Sequence, residues 1–213
     1  KSDYAEIIES TRYTGVRSSL LQYGDKMFYE NGIYAGDQGL LEIFTIPLLQ
    51  GDVNTALSEP NTALITKLIA EKYSVEEDPM GKILQFNDDL QVTVTGVVDD
   101  LPNNSFFRFN ILISFPTIEF FNGPQYMTRW GSNTLNTFIL LPEDNDYAVL
   151  EEKIFDDMSR YREQESLTKM HLQPLKDMHF ETFWVADFGT KRERKYVWIF
   201  IAVPVSILII ACI

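Results

Sequence analysis

The residues best equipped for chemistry are acidic. Asp99-Asp100 closes an alternating apolar stretch, Asp88-Asp89 opens it, and Glu119 follows among aromatics. A carboxylate pair such as Asp99 with Glu119 or Asp100 is what a hydrolase uses, one group as acid and the other as base or nucleophile, at a separation of about 5–9.5 Å. The same groups suit a surface cation, but neighbouring strand residues point to opposite faces, so Asp99 and Asp100 share an ion only if the backbone turns there. A solvated acidic loop is the plainer reading. His171 and His179 are the only histidines. On one extended strand they lie about 26 Å apart, too far to hold one ion without a sharp bend. Cys212 is the only cysteine and sits in an apolar run, which leaves no disulfide framework and no thiolate nucleophile in the rest of the chain. No serine elbow, phosphate loop, HExxH or dinucleotide fingerprint occurs. The sequence thus predicts no catalytic residue, no cofactor and no metal site, and any ATP-binding machinery must lie elsewhere.

The elements that would position these groups are mostly short. Residues 3–9 suggest a short helix. Residues 11–22 and 26–34 have strand composition, with turns at Gly24-Asp25 and Asn31-Gly32, the second a hairpin dipeptide. Asp37 suits the N-cap of a short helix bearing Leu40, Leu41 and Phe44. A strand at Ala63–Thr66 leads into a helix at Lys67–Tyr73, with Thr66 as a candidate cap. Asp78–Lys82 reads as a tight turn. Ile83–Phe86 and Leu90–Val98 read as a hairpin, the second strand alternating in the half-buried manner. Phe109–Phe115 is expected to be a buried strand, and Thr137–Leu141 another. Tyr147, Leu150, Ile154, Met158 and Tyr161 recur at helical spacing, and a strand is expected at Thr168–Leu175.

The order strand–helix–strand at the end, with helix–strand at the start, predicts an α+β chain with two lobes. One is a split βαβ lobe from residues 1–22 and 105–180. The other is a smaller mixed α/β lobe, residues 23–104, inserted between its halves. Residues 181–195 form a stalk or basic linker, and 196–213 an apolar terminal segment. That segment, YVWIFIAVPVSILIIACI, carries no charge. It predicts the start of a transmembrane helix, because a span needs about 20 apolar residues. Tyr196, Trp198 and Phe200 stand at its entry as interface aromatics do, Pro204 is tolerable in lipid, and Ile213 ends it just short of a full crossing. Lys1 in place of an initiator methionine suggests a piece of a longer protein.

Charge excludes one class of partner. Lys and Arg number 18 against 31 Asp and Glu, a formal −13; setting aside Lys191–Lys195, with four basic residues and Glu193, leaves −16 on residues 1–190. Such a field repels nucleic acid and anionic lipid everywhere but at the basic collar. The aromatics Phe115, Phe120, Phe121, Tyr126 and Trp130 read as core or lobe packing, or else, at Phe120, Phe121, Tyr126 and Trp130, as a partner surface.

Several phrases occur in a familiar order: Phe44–Asp52 (FTIPLLQGD), Thr62–Thr66, Asp78–Lys82 (DPMGK), Val94–Ser105 (VTGVVDDLPNNS), Leu172–Leu175 with Asp177–His179, and Leu208–Ile213. In these the chain resembles, over nearly its whole length, the extracytoplasmic core domain of MacB/FtsX-type ABC transporter permeases in the form common in Bacteroidetes. The resemblance implies a ferredoxin-like lobe split by a smaller inserted one, in a subunit of the inner membrane, with this domain in the periplasm. It implies a cytoplasmic ATPase subunit, a second permease copy, membrane lipid, and a periplasmic or outer-membrane partner or substrate. The family works by mechanotransmission and does no chemistry in this domain. Gly51, Asp52, Pro79, Gly81, Gly96 and Pro102 are its structural motif residues. The basic flank at 191–195 argues for a cytoplasmic position under the positive-inside rule, whereas the family places it outside; the family orientation is the one expected here. Alternatives of other classes are a membrane-anchored carboxylate hydrolase and a single-anchor sensor or adhesion ectodomain.

Overall fold

The computed structural model describes residues 4–73, 78–87, 89–102, 105, 107–123, 126, 135–160, 171–178 and 194–211. The chain forms two compact units, 1–146 and 147–213.

The first unit is built on one ten-stranded sheet. Its elements run β1 (Glu9–Gly15), β2 (Ser19–Tyr23), β3 (Lys26–Glu30), β4 (Ile33–Gly36), α1 (Gly39–Phe44), β5 (Leu48–Gly51), β6 (Thr62–Thr66), α2 (Lys67–Tyr73), β7 (Ile83–Phe86), β8 (Leu90–Val98), β9 (Ile111–Ser114), a 3-10 turn (Phe115–Thr117), α3 (Ile118–Asn122) and β10 (Asn136–Leu140). Across the sheet the order is β10-β1-β4-β9-β6-β8-β7-β2-β3. Only β4–β9 and β6–β8 are parallel. The nine-residue β8 is the hub: it carries β7 along its first half and β5 along its last residues, with β6 on its other side. β4 and β6 come from the stretch expected to be an inserted lobe, yet both pair with β9, and β4 also pairs with β1. A single sheet therefore runs through both expected segments, and the two-lobe description finds no counterpart in the strand pairing.

The sheet is covered on both faces over its centre. On one face Ala63, Ile65, Val92, Val94, Ile111 and Ile113 form a buried apolar cluster, closed by Ile69 and Tyr73 of α2 and Ile118 of α3. On the other, α1 lies over β1 and β4. Leu40 comes within reach of Gly36, and Phe44 meets Phe107 at 4.3 Å and Phe138 at 5.1 Å between ring centroids. Tyr13 stacks on Tyr34 at 4.8 Å in the same layer. Gln38 holds the following loop: its amide nitrogen donates to Val53 O and its carbonyl accepts Leu57 N–H at 2.8 Å.

Within the first unit local expectations differ from the structure at four places. Residues 5 and 6 form a turn, with no helix over the described part of 3–9. Asn31-Gly32 does not close a hairpin: β3 ends the sheet, while β4 departs to pair with β1 and β9, and Gly32 O accepts Asn110 N–H at 2.8 Å. Asp37 does not cap α1 through its side chain, which is engaged by Arg12 instead. Thr66 does not cap α2; the carboxylate of Asp100 accepts Leu68 N–H at 3.0 Å.

The second unit contains α4 (Tyr147–Arg160), α5 (Leu175–Met178) and α6 (Arg194–Ala211). α4 forms where helical spacing placed it, with Leu150 buried and Ile154 half-buried but Tyr147 46% exposed; Tyr161 lies outside the described residues. The strand expected at Thr168–Leu175 is not formed over its described part: His171–Pro174 are irregular and Leu175 opens α5. α6 coincides with the apolar segment, begins two residues early at Arg194 and spans 18 residues, about 27 Å at 1.5 Å per residue. Trp198, Phe200 and Ile210 on it are each at least 70% exposed. Pro204 removes one donor from its ladder, and Ser206 Oγ donates to Ala202 O at 2.8 Å. Among the described residues no helix is long and apolar enough to cross a membrane.

Candidate functional site: an interaction face

The acidic residues are occupied by the backbone. Asp99 and Asp100 follow β8 and are exposed. Asp99 accepts the N–H of Asp100 at 2.9 Å, and Asp100 caps α2, where a carboxylate complements the positive helix end. Glu119 is exposed in the first turn of α3. His171 bonds Glu151 at 3.0 Å, and the other carboxylate oxygen of Glu151 accepts Leu172 N–H. His179 lies outside the described residues. Among the described residues no group of three or more His, Cys, Asp or Glu side chains is arranged to hold a metal ion.

The motif residues sit at turns and close approaches. Gly51 pairs with Gly96 across β5–β8. Asp52 accepts the N–H of Asn54 at 2.9 Å and its side-chain amide at 3.0 Å, while its backbone carbonyl accepts Thr55 and Ala56 N–H. The Asn54 backbone donor, then its side-chain donor, holds the Asp52 carboxyl below its ordinary range. Pro79 O accepts Lys82 N–H, Gly81 N–H bonds Val94 O, and Pro102 O accepts Ser105 N–H, all at the ends of strands. Of the aromatics read as a partner surface, Phe121 and Tyr126 pack on the core cluster, Phe121 edge-on to Phe86 at 6.0 Å. Phe120 is about half exposed, and Trp130 lies outside the described residues.

Two charged constellations were not legible in the sequence. Arg12 grips Asp37 with two guanidinium hydrogen bonds, 2.7 and 2.9 Å, and its own N–H bonds the same carboxylate at 2.9 Å. The guanidinium carbon lies 3.9 Å from the centroid of the Phe115 ring. At the opposite end of the sheet, buried Glu30 accepts Tyr73 Oη at 2.9 Å and Lys72 Nζ at 2.5 Å, and Lys26 Nζ bonds Tyr73 O. Burial, then the hydrogen bond and charge of Glu30, push the Tyr73 phenol well above its ordinary range. These contacts fasten β3 to the end of α2.

That fastening involves one face of the β2–β3 hairpin and leaves its other face bare. Leu20 pairs with Tyr29 and Gln22 with Met27 across β2–β3. Next to them, Ile83 pairs with Thr93 and Gln85 with Gln91 across β7–β8. By the two-residue alternation of strands these pairs share the face away from Glu30 and Tyr73. Tyr29 is 72% exposed, and Leu20, Met27 and Ile83 are exposed too. Gln91 Nε2 donates to Gln85 Oε1 at 3.1 Å. No position of this face carries a charge. No apolar alternation marks it in the sequence, because β2 (SLLQY), β3 (KMFYE) and β7 (ILQF) carry apolar residues on both faces.

The fold is that of a mixed α+β domain assembled on one large sheet, and solved domains of membrane transport proteins share it. A domain of a candidate permease from Porphyromonas gingivalis superposes with a TM-score of 0.64 at 24% identity, over 81% of this chain and 82% of that one. The periplasmic region of MacB from Actinobacillus actinomycetemcomitans gives 0.55 at 18% identity, over 75% and 70%. The extracellular domain of the noncanonic ABC-type transporter YknZ from Gram-positive bacteria gives 0.50 at 16%, over 73% and 78%. At these identities the likeness shows the fold. Among curated proteins no sequence matches. The chain belongs to the family of MacB-like periplasmic core domains, whose model matches residues 2–155.

Proposed function

We propose that this chain is the extracytoplasmic domain of an ABC transporter permease subunit. It performs no chemistry itself and couples ATP hydrolysis by a cytoplasmic ATPase to the movement of substrates outside the cytoplasm. The observation that carries this reading is family membership over residues 2–155. The exposed apolar helix α6, at the far end of the chain from the sheet strands, supports it as the beginning of the lipid anchor. The engagement of Asp99 and Asp100 as backbone acceptors favours a structural over a hydrolytic use of those carboxylates. In this reading α6 is the stalk through which motion reaches the sheet, and the subunit works as a pair in the inner membrane of a double-membrane bacterium.

The experiment is purification of the full-length membrane protein in mild detergent. A phosphate-loop ATPase chain is expected to accompany it, and ATP turnover is expected to belong to that chain alone. A preparation with no ATPase chain, or hydrolytic turnover that survives removal of the ATPase, contradicts the reading.

A further inference from the structure

We propose that Asn31-Gly32 is a site of spontaneous covalent modification, where Asn31 loses its side-chain amide as ammonia and the link from β3 to β4 gains a carboxylate. The proposal stands apart from the transporter reading and does not depend on it.

The chain holds two Asn-Gly dipeptides, Asn31-Gly32 and Asn122-Gly123. In both the asparagine is exposed and the glycine has a positive φ, +68° and +82°. Sequence and exposure do not separate them, but hydrogen bonding does. Asn122 ends α3, and Gly123 N–H donates to Glu119 O at 2.7 Å. That nitrogen must give up a backbone hydrogen bond before it can react. Asn31 lies between β3 and β4, outside any helix or strand. Among the described residues nothing accepts Gly32 N–H, and nothing bonds the Asn31 side chain. The amide is therefore free to rotate toward Gly32, whose missing Cβ leaves the nitrogen open to it.

The reaction needs only water. A water or hydroxide takes the proton of Gly32 N–H. The nitrogen attacks Asn31 Cγ, the Cγ–Nδ2 bond breaks, and Nδ2 leaves as ammonia with a proton returned by water. The cyclic imide that remains is opened by a second water. Attack at Cγ leaves aspartate. Attack at the backbone carbonyl carbon leaves isoaspartate, whose main chain runs through Cβ and Cγ and is longer by a carbon.

The junction is sensitive to that extra length. Asn31 O accepts Asn110 Nδ2 at 3.1 Å, and Gly32 O accepts Asn110 N–H at 2.8 Å and Ile111 N–H at 3.3 Å. The next residue, Ile33, opens the parallel pairing of β4 with β9 opposite Ile111. A lengthened backbone carries Gly32 O away from its donors and loosens the start of that ladder.

The test incubates the full-length protein at mildly alkaline pH, folded in detergent and, in parallel, unfolded in concentrated urea. Peptide mapping by mass spectrometry, with electron-transfer fragmentation to tell isoaspartate from aspartate, follows both asparagines. In the folded protein Asn31 is expected to convert about ten-fold faster than Asn122, because only the latter must first break a hydrogen bond and a helix end. In urea the two rates are expected to converge. Asn31→Gln, which would have to close a larger ring, is expected to abolish the fast release of ammonia. Amide exchange in β4 of the isoaspartyl fraction, separated by its added charge, is expected to rise relative to β6. An Asn31 that stays intact in the folded protein, or that converts no faster than Asn122, overturns the proposal. A difference that persists undiminished in urea also overturns it, since the fold would not be its cause. An isoaspartyl fraction whose β4 exchanges like the parent's overturns the loosening of the ladder.

Discussion

Gly51 lies directly opposite Gly96 across the antiparallel β5–β8 pair, and neither has room for a side chain. A Cβ on Gly51 would stand 2.5 Å from Thr95 O; one on Gly96 would stand 2.6 Å from Leu64 Cδ2 and 2.9 Å from Gln50 O. The two motif segments, 45 residues apart in sequence, are thus joined by a backbone approach only glycine permits.

Gly51→Ala is expected to be the more damaging substitution, because it meets backbone and adds an unfavourable φ of +103°. Strain and overpacking together predict a loss of about 2–4 kcal/mol. Urea unfolding of the chain followed by circular dichroism measures it; a midpoint unchanged from the parent would contradict the packing described.

Arg12→Lys is expected to lose the forked contact with Asp37 and the stacking on Phe115 while keeping the charge. Both side chains are partly exposed, so a double-mutant cycle with Asp37→Asn should return a coupling of only about 0.5–1 kcal/mol. Zero coupling would mean that the pair does not bind β1 to the segment before α1.

Glu30→Ala should be costly for its size. It strips Tyr73 Oη of an acceptor at a buried site and frees Lys72, a loss of about 2–3 kcal/mol. Tyr73→Phe should cost about 1 kcal/mol. Amide exchange in β2 and β3 is the sharper readout, since the network ties that hairpin to α2; exchange there should rise more than in β6.

Tyr73, Tyr13 and Tyr34 all have phenols raised above their ordinary value, mainly by burial. Unfolded tyrosine loses its proton near pH 10, whereas the folded chain keeps it, so the folded state holds more protons above that pH. Stability from these groups is complete below about pH 10 and falls as pH rises through the folded values. Thermal unfolding at pH 8 and pH 11 should show a large drop that Tyr73→Phe diminishes.

Local pattern carried much of the fold. A short apolar run located β6, alternation located β8, helical spacing located α4, and the hairpin β7–β8 followed from turn residues between two strand-like runs. What failed was anything decided at long range. Asn31-Gly32 has the chemistry of a hairpin turn, but the partners of β4 are β1 and β9, and no local signal announces that choice. The expected strand at 168–175 reflects β-prone composition that its described part does not follow. The acidic pair Asp99-Asp100 drew attention as chemistry because a helix start 32 residues upstream, where Asp100 is used, is invisible in one dimension.

The most direct test of the central claim is the side of the membrane on which the sheet lies. In the full-length protein, Lys67→Cys in a background where Cys212 and any further native cysteine are replaced by Ser puts one thiol on exposed α2. A membrane-impermeant maleimide applied to intact spheroplasts is expected to label it fully. Labelling that appears only after lysis would place this domain in the cytoplasm and contradict its role as an extracytoplasmic transporter domain.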